Sequence, residues 1–586
     1  MIDYLITAAD GGHRFNVEQR VPVSGGQEYT LYLPVWIPGS YTRRDFSKYL
    51  RNLTAKSGGE VLPWQMINPS TWQVSVPQGA KELVLTYNVY ARDISVRGNY
   101  LDHERGIINP CCTCIAVEGM EDMVHRIELA LADGWQWYGA EALNGRVCCD
   151  DYDHLIDTPL MLGAALQHAE FDVYGKRHEL VVSGAKWDYD FERLVDDARK
   201  ICIAEHDMFG GWPKATQDYC FMLHATDNVY GGLEHRSSTM LMAPRALLPR
   251  TDGTISPNYI RLLGLFSHEY FHTWNVKDLK PADYQPYDVR QEQPSEMLWF
   301  FEGFTAYFDN LLLVQSGVIK EEHYWQLLAD DITNHTRRRG HKHQTLAHSS
   351  YEAWTKLYNG GEDALNSSTN YYVHGALFAF CLDMFLRTQS DDDISLASVL
   401  RGAWQQYSED GQGMTEARFV EIVSGQLPKE VEGEFTAFLQ RGLHSLEPLP
   451  LAESLAAVGM HLSMKADSVQ GKAASSEPGF RWRDDHGKLR VTRLDEGSSA
   501  ARAGIAVDDE LVAVDNIVAS EAMLRRCLLE SESGRDADIH VFRDGILHHF
   551  TVELEGALKD KACIEPVREA DAATQARRRA WLKQAD

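Results

Sequence analysis

The sequence predicts a multidomain α+β protein with a β-rich N-terminal domain over 1–170 and a mainly helical central domain over 171–450. A small mixed unit over 456–556 and a helical tail over 557–586 complete it. Three observations carry this reading. Up to residue 170, short runs of β-branched and aromatic residues alternate with turn clusters. Between Ser256 and Trp274 the apolar residues recur at helical spacing. Pro448 and Pro450 then mark a linker, after which strand-like runs return.

In the first domain the strand candidates are Tyr29 to Trp36, Thr71 to Val76, Leu83 to Tyr90 and Arg126 to Leu131. The stretch from Pro34 to Tyr41, followed by Arg43-Arg44-Asp45, reads as a rigid loop with no chemistry of its own. The chain has 586 residues, 44% hydrophobic and 24% charged, an ordinary globular balance with enough length for a sizeable core. Its 57 basic and 85 acidic residues leave a net charge of −28, which repels phosphate backbones and argues against nucleic acid as the main partner. The N-terminus lacks a basic, then apolar, leader pattern, and no apolar run approaches the roughly 18 residues that span a bilayer. A cytoplasmic protein without a membrane partner is expected. The ten cysteines, Cys111-Cys112-Thr113-Cys114 and Cys148-Cys149 among them, are expected to be reduced structural thiols.

Strand and helix alternate over 171–250, where Tyr230-Gly231-Gly232-Leu233-Glu234-His235 stands out. A Gly-Gly pair lets backbone approach a ligand, and a glutamate just after it can face the same ligand. On spacing alone a β-bulge with a solvated carboxylate is the better fit. Ser256 as N-cap and Pro257 at the first position then open a helix whose apolar face is Tyr259, Leu263, Phe266, Tyr270 and Trp274. His268 and His272 lie opposite that face, four residues apart, with Glu269 beside the first. That spacing presents two metal ligands and a base from one helix, the pattern of a zinc peptidase centre.

A second helix is predicted over Ser295 to Gln315, with Glu302 in an apolar surround. A buried carboxylate needs a cation, either a metal shared with the histidines or an arginine or lysine. The arginines and histidines of 334–348 read as a basic solvated loop. A helix from about Asn370 to Arg387 opens with Tyr371-Tyr372-Val373-His374-Gly375. In the last unit Leu489 to Thr492, Glu510 to Val514 and Ile539 to Phe542 read as strands and Ser520 to Leu529 as a helix. The polar tail, ending near Trp581, reads as a docking helix.

Taken together, Trp36 to Tyr41, Tyr230 to His235, His268 to Lys277, Trp299 to Thr305 and Tyr371-Tyr372 before Gly375 resemble the glycyl-aminopeptidase family of zinc metallopeptidases, peptidase family sixty-one. Leu489 to Asp515, with Gly497 to Ile505, resembles a PDZ domain. The resemblance implies a thermolysin-like catalytic domain in the centre and a PDZ domain over 456–556. It implies Zn²⁺ held by His268, His272 and Glu302, with Glu269 as the base. By likeness to the wider gluzincin group, Glu234 would hold the substrate's α-amine and Tyr372 would donate to the oxyanion, with Gly231 and Gly232 giving backbone contacts along the peptide. His374 stands where that group has a lysine. The implied substrates are peptides with a free N-terminus and a small first residue, glycine or alanine. A PDZ-based peptide-binding scaffold with a vestigial zinc site, or a zinc endopeptidase supplied by its PDZ domain, are the alternatives. The carboxylate-binding loop of the PDZ unit is placed at Pro478 to Trp482.

Overall fold

The computed structural model describes residues 1–8, 12–469 and 471–583, so the final residues of the predicted tail, 584–586, lie outside the description. The chain divides into two compact units. The first comprises Met1–Met297, Phe308–Lys320 and Ala397–Gly425; the second comprises Leu298–Tyr307, Glu321–Leu396 and Gln426–Asp586.

The first unit begins with an eight-stranded sheet that includes Ile2–Ala8, Arg14–Pro22, Glu82–Tyr90 and His125–Ala130, beside a four-stranded sheet containing Gln27–Tyr32 and Thr71–Val76. Period-two patterning is obeyed: Trp72, Val74 and Val76 face the core while their neighbours face outward. The run predicted from Tyr29 to Trp36 is strand only as far as Tyr32. Pro34 has no N–H to give a ladder, and the chain leaves as a loop in which Trp36 Nε1 donates to the Asp288 carbonyl at 2.9 Å. Cys111, Cys112 and Cys114 are packed in this core.

A five-stranded sheet follows, built from β1 (Gln167–Val173), β2 (Lys176–Ser183), β3 (Tyr219–Thr226), β4 (Gly231–Glu234) and β5 (Ser238–Pro244) in the order β1-β2-β3-β5-β4. The central pairs β2/β3 and β3/β5 are parallel, and β4 runs antiparallel to β5 at the edge. Strand β3 is buried on both faces, which is why its sequence is a continuous apolar run rather than an alternation.

Helices α1 (Phe191–Phe209) and α2 (Pro257–Phe271) belong to the same unit. The start of α2 is as predicted: Ser256 Oγ accepts from the Tyr259 N–H at 3.1 Å and Pro257 occupies the first turn. Its end differs, since the helix closes at Phe271 with His272 as C-cap, so Trp274 lies in the following turn. Trp274 still reaches the core, stacked on Phe209 with centroids 4.8 Å apart. Three hydrogen bonds fix the rotation of α2. Tyr259 Oη donates to Asp197 at 2.9 Å, Ser267 Oγ donates to Glu205 at 2.8 Å, and Tyr270 Oη meets His178 Nε2 at 2.8 Å.

The predicted helix from Ser295 becomes a π-helical turn, Trp299–Gly303, in the second unit and continues as α3 (Phe304–Gln315), whose residues from Phe308 on belong to the first. Helix α4 (Tyr371–Gln389) starts with Asn370 Oδ1 accepting from the Tyr372 N–H at 2.9 Å. The 334–348 segment is not a solvated loop. Arg337 pairs with Asp467 at 2.7 Å and Asp560 at 3.0 Å, and His335 packs between His341 and His374 with tilted rings at centroid distances of 4.6 and 4.5 Å. Burial explains this, because histidines that are neutral at pH 7 pack without repulsion.

Beyond the linker, strands Phe480–Asp485, Lys488–Leu494, Glu510–Val514, Asp536–Arg543 and Ile546–Glu553 form one sheet with a core including Val491, Val514, Ile539 and Val541. The region drawn as a helical tail is helical only over Ala572–Leu582. Lys561–Pro566 is instead a strand paired antiparallel with Met460–Lys465, so a strand inside the 456–556 segment pairs with one beyond its end. The terminal helix docks through Trp581, whose indole donates to Tyr307 Oη at 2.9 Å and packs on Tyr324 and Phe380. Among the described residues no helix is long and apolar enough to cross a membrane.

Candidate active site

Ligand atoms of His268, His272 and Glu302 lie within 4.8 Å of one another, a three-ligand arrangement compatible with one ion bonded at about 2.0–2.2 Å. The surroundings fit that use. His268 Nδ1 is 3.0 Å from Asp309 Oδ2, and His272 Nδ1 donates to the Asn275 carbonyl at 2.8 Å. With both Nδ1 atoms engaged, Nε2 is the ring atom through which each imidazole could bind a metal, since a neighbouring acceptor on Nδ1 selects that tautomer. Burial raises the Asp309 carboxyl, and the imidazole of His268 draws it back. Glu302 sits on the π-helical turn, a local widening that recurs at functional sites.

That turn is held by a close crossing. A Cβ on Gly303 would stand 2.7 Å from Gly375 Cα, and one on Gly375 would stand 2.8 Å from Gly303 Cα. The two glycines therefore let the turn carrying Glu302 touch the start of α4, where the paired tyrosines lie. Tyr372 Oη is 2.9 Å from Tyr358 Oη, which also meets Tyr371 Oη at 3.2 Å. Tyr371 is fully buried, and burial followed by Tyr358, Tyr372 and Glu302 holds its phenol well above the ordinary range. His374 is no substitute for a cationic neighbour. Burial pushes its pKa down to about 3, and its ring packs on His335 with Nδ1 3.2 Å from Thr369 Oγ1.

The glycine pair and Glu234 occupy the edge strand β4. Gly232 and Glu234 are two residues apart and so share a face of the sheet. A side chain at Gly232 would collide with the carboxylate of Glu269, so the strand lies directly against the candidate base. Glu234 is only 4% exposed, and its Oε1 has no hydrogen-bond partner among the described residues. It is thus not the solvated carboxylate of a β-bulge. The loop with no assigned chemistry supplies its wall: Gly39, at φ +91°, abuts the Glu234 carboxylate so closely that any side chain there would clash. Sequence reading missed this role of Gly39 and the parts played by Asp309 and Tyr358. The only signal was the density of prolines and aromatics around Gly39.

Two histidines and a glutamate whose ligand atoms converge, with a second glutamate beside the first histidine, are a group of the kind that holds the metal of a metallopeptidase. The profile described as M61 glycyl aminopeptidase matches residues 261–378, and the M61 N-terminal domain matches residues 4–164. The crystal structure of an aminopeptidase N family protein from Idiomarina loihiensis is similar over 99% of this chain and 100% of that one, at 34% identity and TM-score 0.93. An M1 zinc metallopeptidase from Deinococcus radiodurans aligns over 77% of this chain and 95% of its own at 14% identity and TM-score 0.46. Yeast LTA4 hydrolase aligns over 78% and 70% at 12% identity and TM-score 0.47. A search of curated proteins finds no match. The chain belongs to the M61 glycyl aminopeptidase family and is a hydrolase of the metallopeptidase class.

Proposed function

We propose that this protein is a zinc aminopeptidase that hydrolyses the first peptide bond of peptides beginning with glycine or alanine, and that it acts in the cytoplasm. The observation that carries the exopeptidase reading is the buried, unpartnered Glu234 oxygen on the strand that also lies against Glu269. An orphaned buried acceptor is costly unless a ligand satisfies it, and an α-ammonium group does so with a charge-assisted bond.

His268, His272 and Glu302 would hold zinc, which when bound supplies Lewis acidity that activates water and polarises a carbonyl. Glu269 takes the proton of the attacking water and passes it to the departing amine. The Tyr372 hydroxyl donates to the oxygen on which negative charge grows. Glu234 pairs with the substrate ammonium and sets the first peptide bond in register, while the backbone of Gly231 and Gly232 runs alongside the peptide. The preference for a small first residue rests on family membership. The C-terminal sheet is read as a PDZ domain able to take a peptide along the edge strand Phe480–Asp485.

A panel of glycyl and alanyl peptides with free and N-acetylated termini tests the reading. Glu234→Gln is expected to raise KM for free-amine substrates by about tenfold or more, the worth of a charge-assisted pair. Glu269→Gln is expected to keep zinc and lose on the order of 10²–10⁴ in kcat. Equal turnover of acetylated and free peptides would overturn the aminopeptidase assignment in favour of an endopeptidase.

A further inference from the structure

One buried carboxylate that the chemistry above does not use stands behind both halves of the site. Asp157 follows the short helix Tyr152–Ile156, in the region that precedes the five-stranded sheet. Its Oδ1 accepts from Lys277 Nζ at 2.7 Å and is 3.0 Å from His235 Nδ1, and its Oδ2 accepts from the Arg236 backbone N–H at 3.0 Å. The Asp157 side chain is 10% exposed, that of Lys277 5% and that of His235 1%, so water cannot replace these bonds at low cost. Burial alone would raise the Asp157 carboxyl; Lys277, His235 and Arg236 outweigh it and hold it far below the usual range.

Each partner leads to the site by a short covalent path. His235 and Arg236 directly follow Glu234 at the end of β4, so the carboxylate grips the turn that carries the candidate amine anchor. Lys277 ends the turn after α2. Its N–H donates to the His272 carbonyl at 3.0 Å, and the Asn275 carbonyl in the same turn accepts from His272 Nδ1. Between them Val276 is held at φ +113°, a conformation a β-branched residue adopts only under restraint. The Val276 N–H donates to the Leu279 carbonyl at 3.0 Å, and the buried Lys277–Asp157 pair anchors the same turn.

Resting on the aminopeptidase reading for Glu234, we infer that Asp157 is a positioning residue that locks the amine anchor and the metal ligand His272 into one geometry. It touches neither substrate nor metal. Its neutralisation loosens two functions at once, substrate capture through Glu234 and metal retention through His272.

The test uses the full-length zinc-loaded protein and the variants Asp157→Asn, Asp157→Glu, Lys277→Met and Glu234→Gln, with thermal unfolding recorded for each. For a free-amine glycyl or alanyl peptide, Asp157→Asn is expected to raise KM about tenfold, and zinc affinity by chelator competition to fall about 10–100-fold, the usual range for an outer-shell partner. Lys277→Met is expected to weaken zinc without the full change in KM, and Asp157→Glu to restore part of both. In the Glu234→Gln background the KM effect of Asp157→Asn should vanish while its zinc effect persists, since coupled residues are non-additive. Unchanged KM and zinc affinity in a folded Asp157→Asn protein would overturn the inference, as would full additivity with Glu234→Gln. Failure of Glu234→Gln alone to change KM would instead overturn the reading of the anchor, and the zinc measurement would still judge the Asp157–Lys277 arm.

Discussion

Asp309 decides which nitrogen of His268 is available. Its Oδ2 lies 3.0 Å from Nδ1, so the imidazole is oriented with Nε2 as the atom through which it could bind a metal. Asp309→Ala is expected to keep the fold and lower zinc affinity about 10–100-fold, read by chelator competition. At this scale the sequence was legible where the chemistry is local. His268 and Glu269 lie in α2 and His272 is its C-cap, and their spacing alone places them together. Glu302 was legible because a carboxylate in an aromatic run needs a partner. Asp309, Tyr358, Gly39 and Asp157 were not, since each acts on a residue brought near only by folding.

The elements place these residues through two glycine contacts. On β4, Gly232 leaves room for the Glu269 carboxylate; at the start of α4, Gly375 lets the turn carrying Glu302 approach to backbone distance. Gly375→Ala puts a methyl 2.8 Å from Gly303 Cα, in contact with backbone that has nowhere to go. It is expected to cost about 1–3 kcal/mol in stability, as overpacking does, and to weaken zinc binding as Glu302 is displaced. Thermal unfolding and chelator competition check the two effects separately. The π-helical form of the Glu302 turn was not legible, because an apolar run gives the same pattern whether its hydrogen bonds reach four or five residues back. The cap at Ser256 was, since it is a contact between residues three apart.

Over the whole molecule, buried histidines make stability depend on acid. Burial is the leading cause that lowers His125 and His178 to about 4 and His224 and His374 to about 3, against about 6.5 for a solvated imidazole. The unfolded chain therefore binds protons that the folded one refuses. Stability is fully present above pH ~6.5 and is lost as the pH falls below it, each histidine adding up to about 1.4 kcal/mol per pH unit until its folded pKa is reached. The melting temperature is expected to be steady near neutrality and to drop progressively between about pH 6 and 4. A melting temperature that stays level across that interval would contradict this account.

The strands whose apolar residues alternate, the capped start of α2, the two histidines with their glutamate and a terminal helix that docks all follow from the order of residues along the chain. All are set by contacts within a few residues or by an apolar periodicity that burial must satisfy. That the Gly39 loop walls in Glu234, that the histidines near Arg337 pack on one another, and that Lys561–Pro566 is a strand emerges only on folding. Folding alone sets one carboxylate, Asp157, against both His235 and Lys277, from which it is separated by 78 and 120 residues. Over such separations no local pattern records which residue will be the partner, and the pairing exists only once folding has closed the intervening chain.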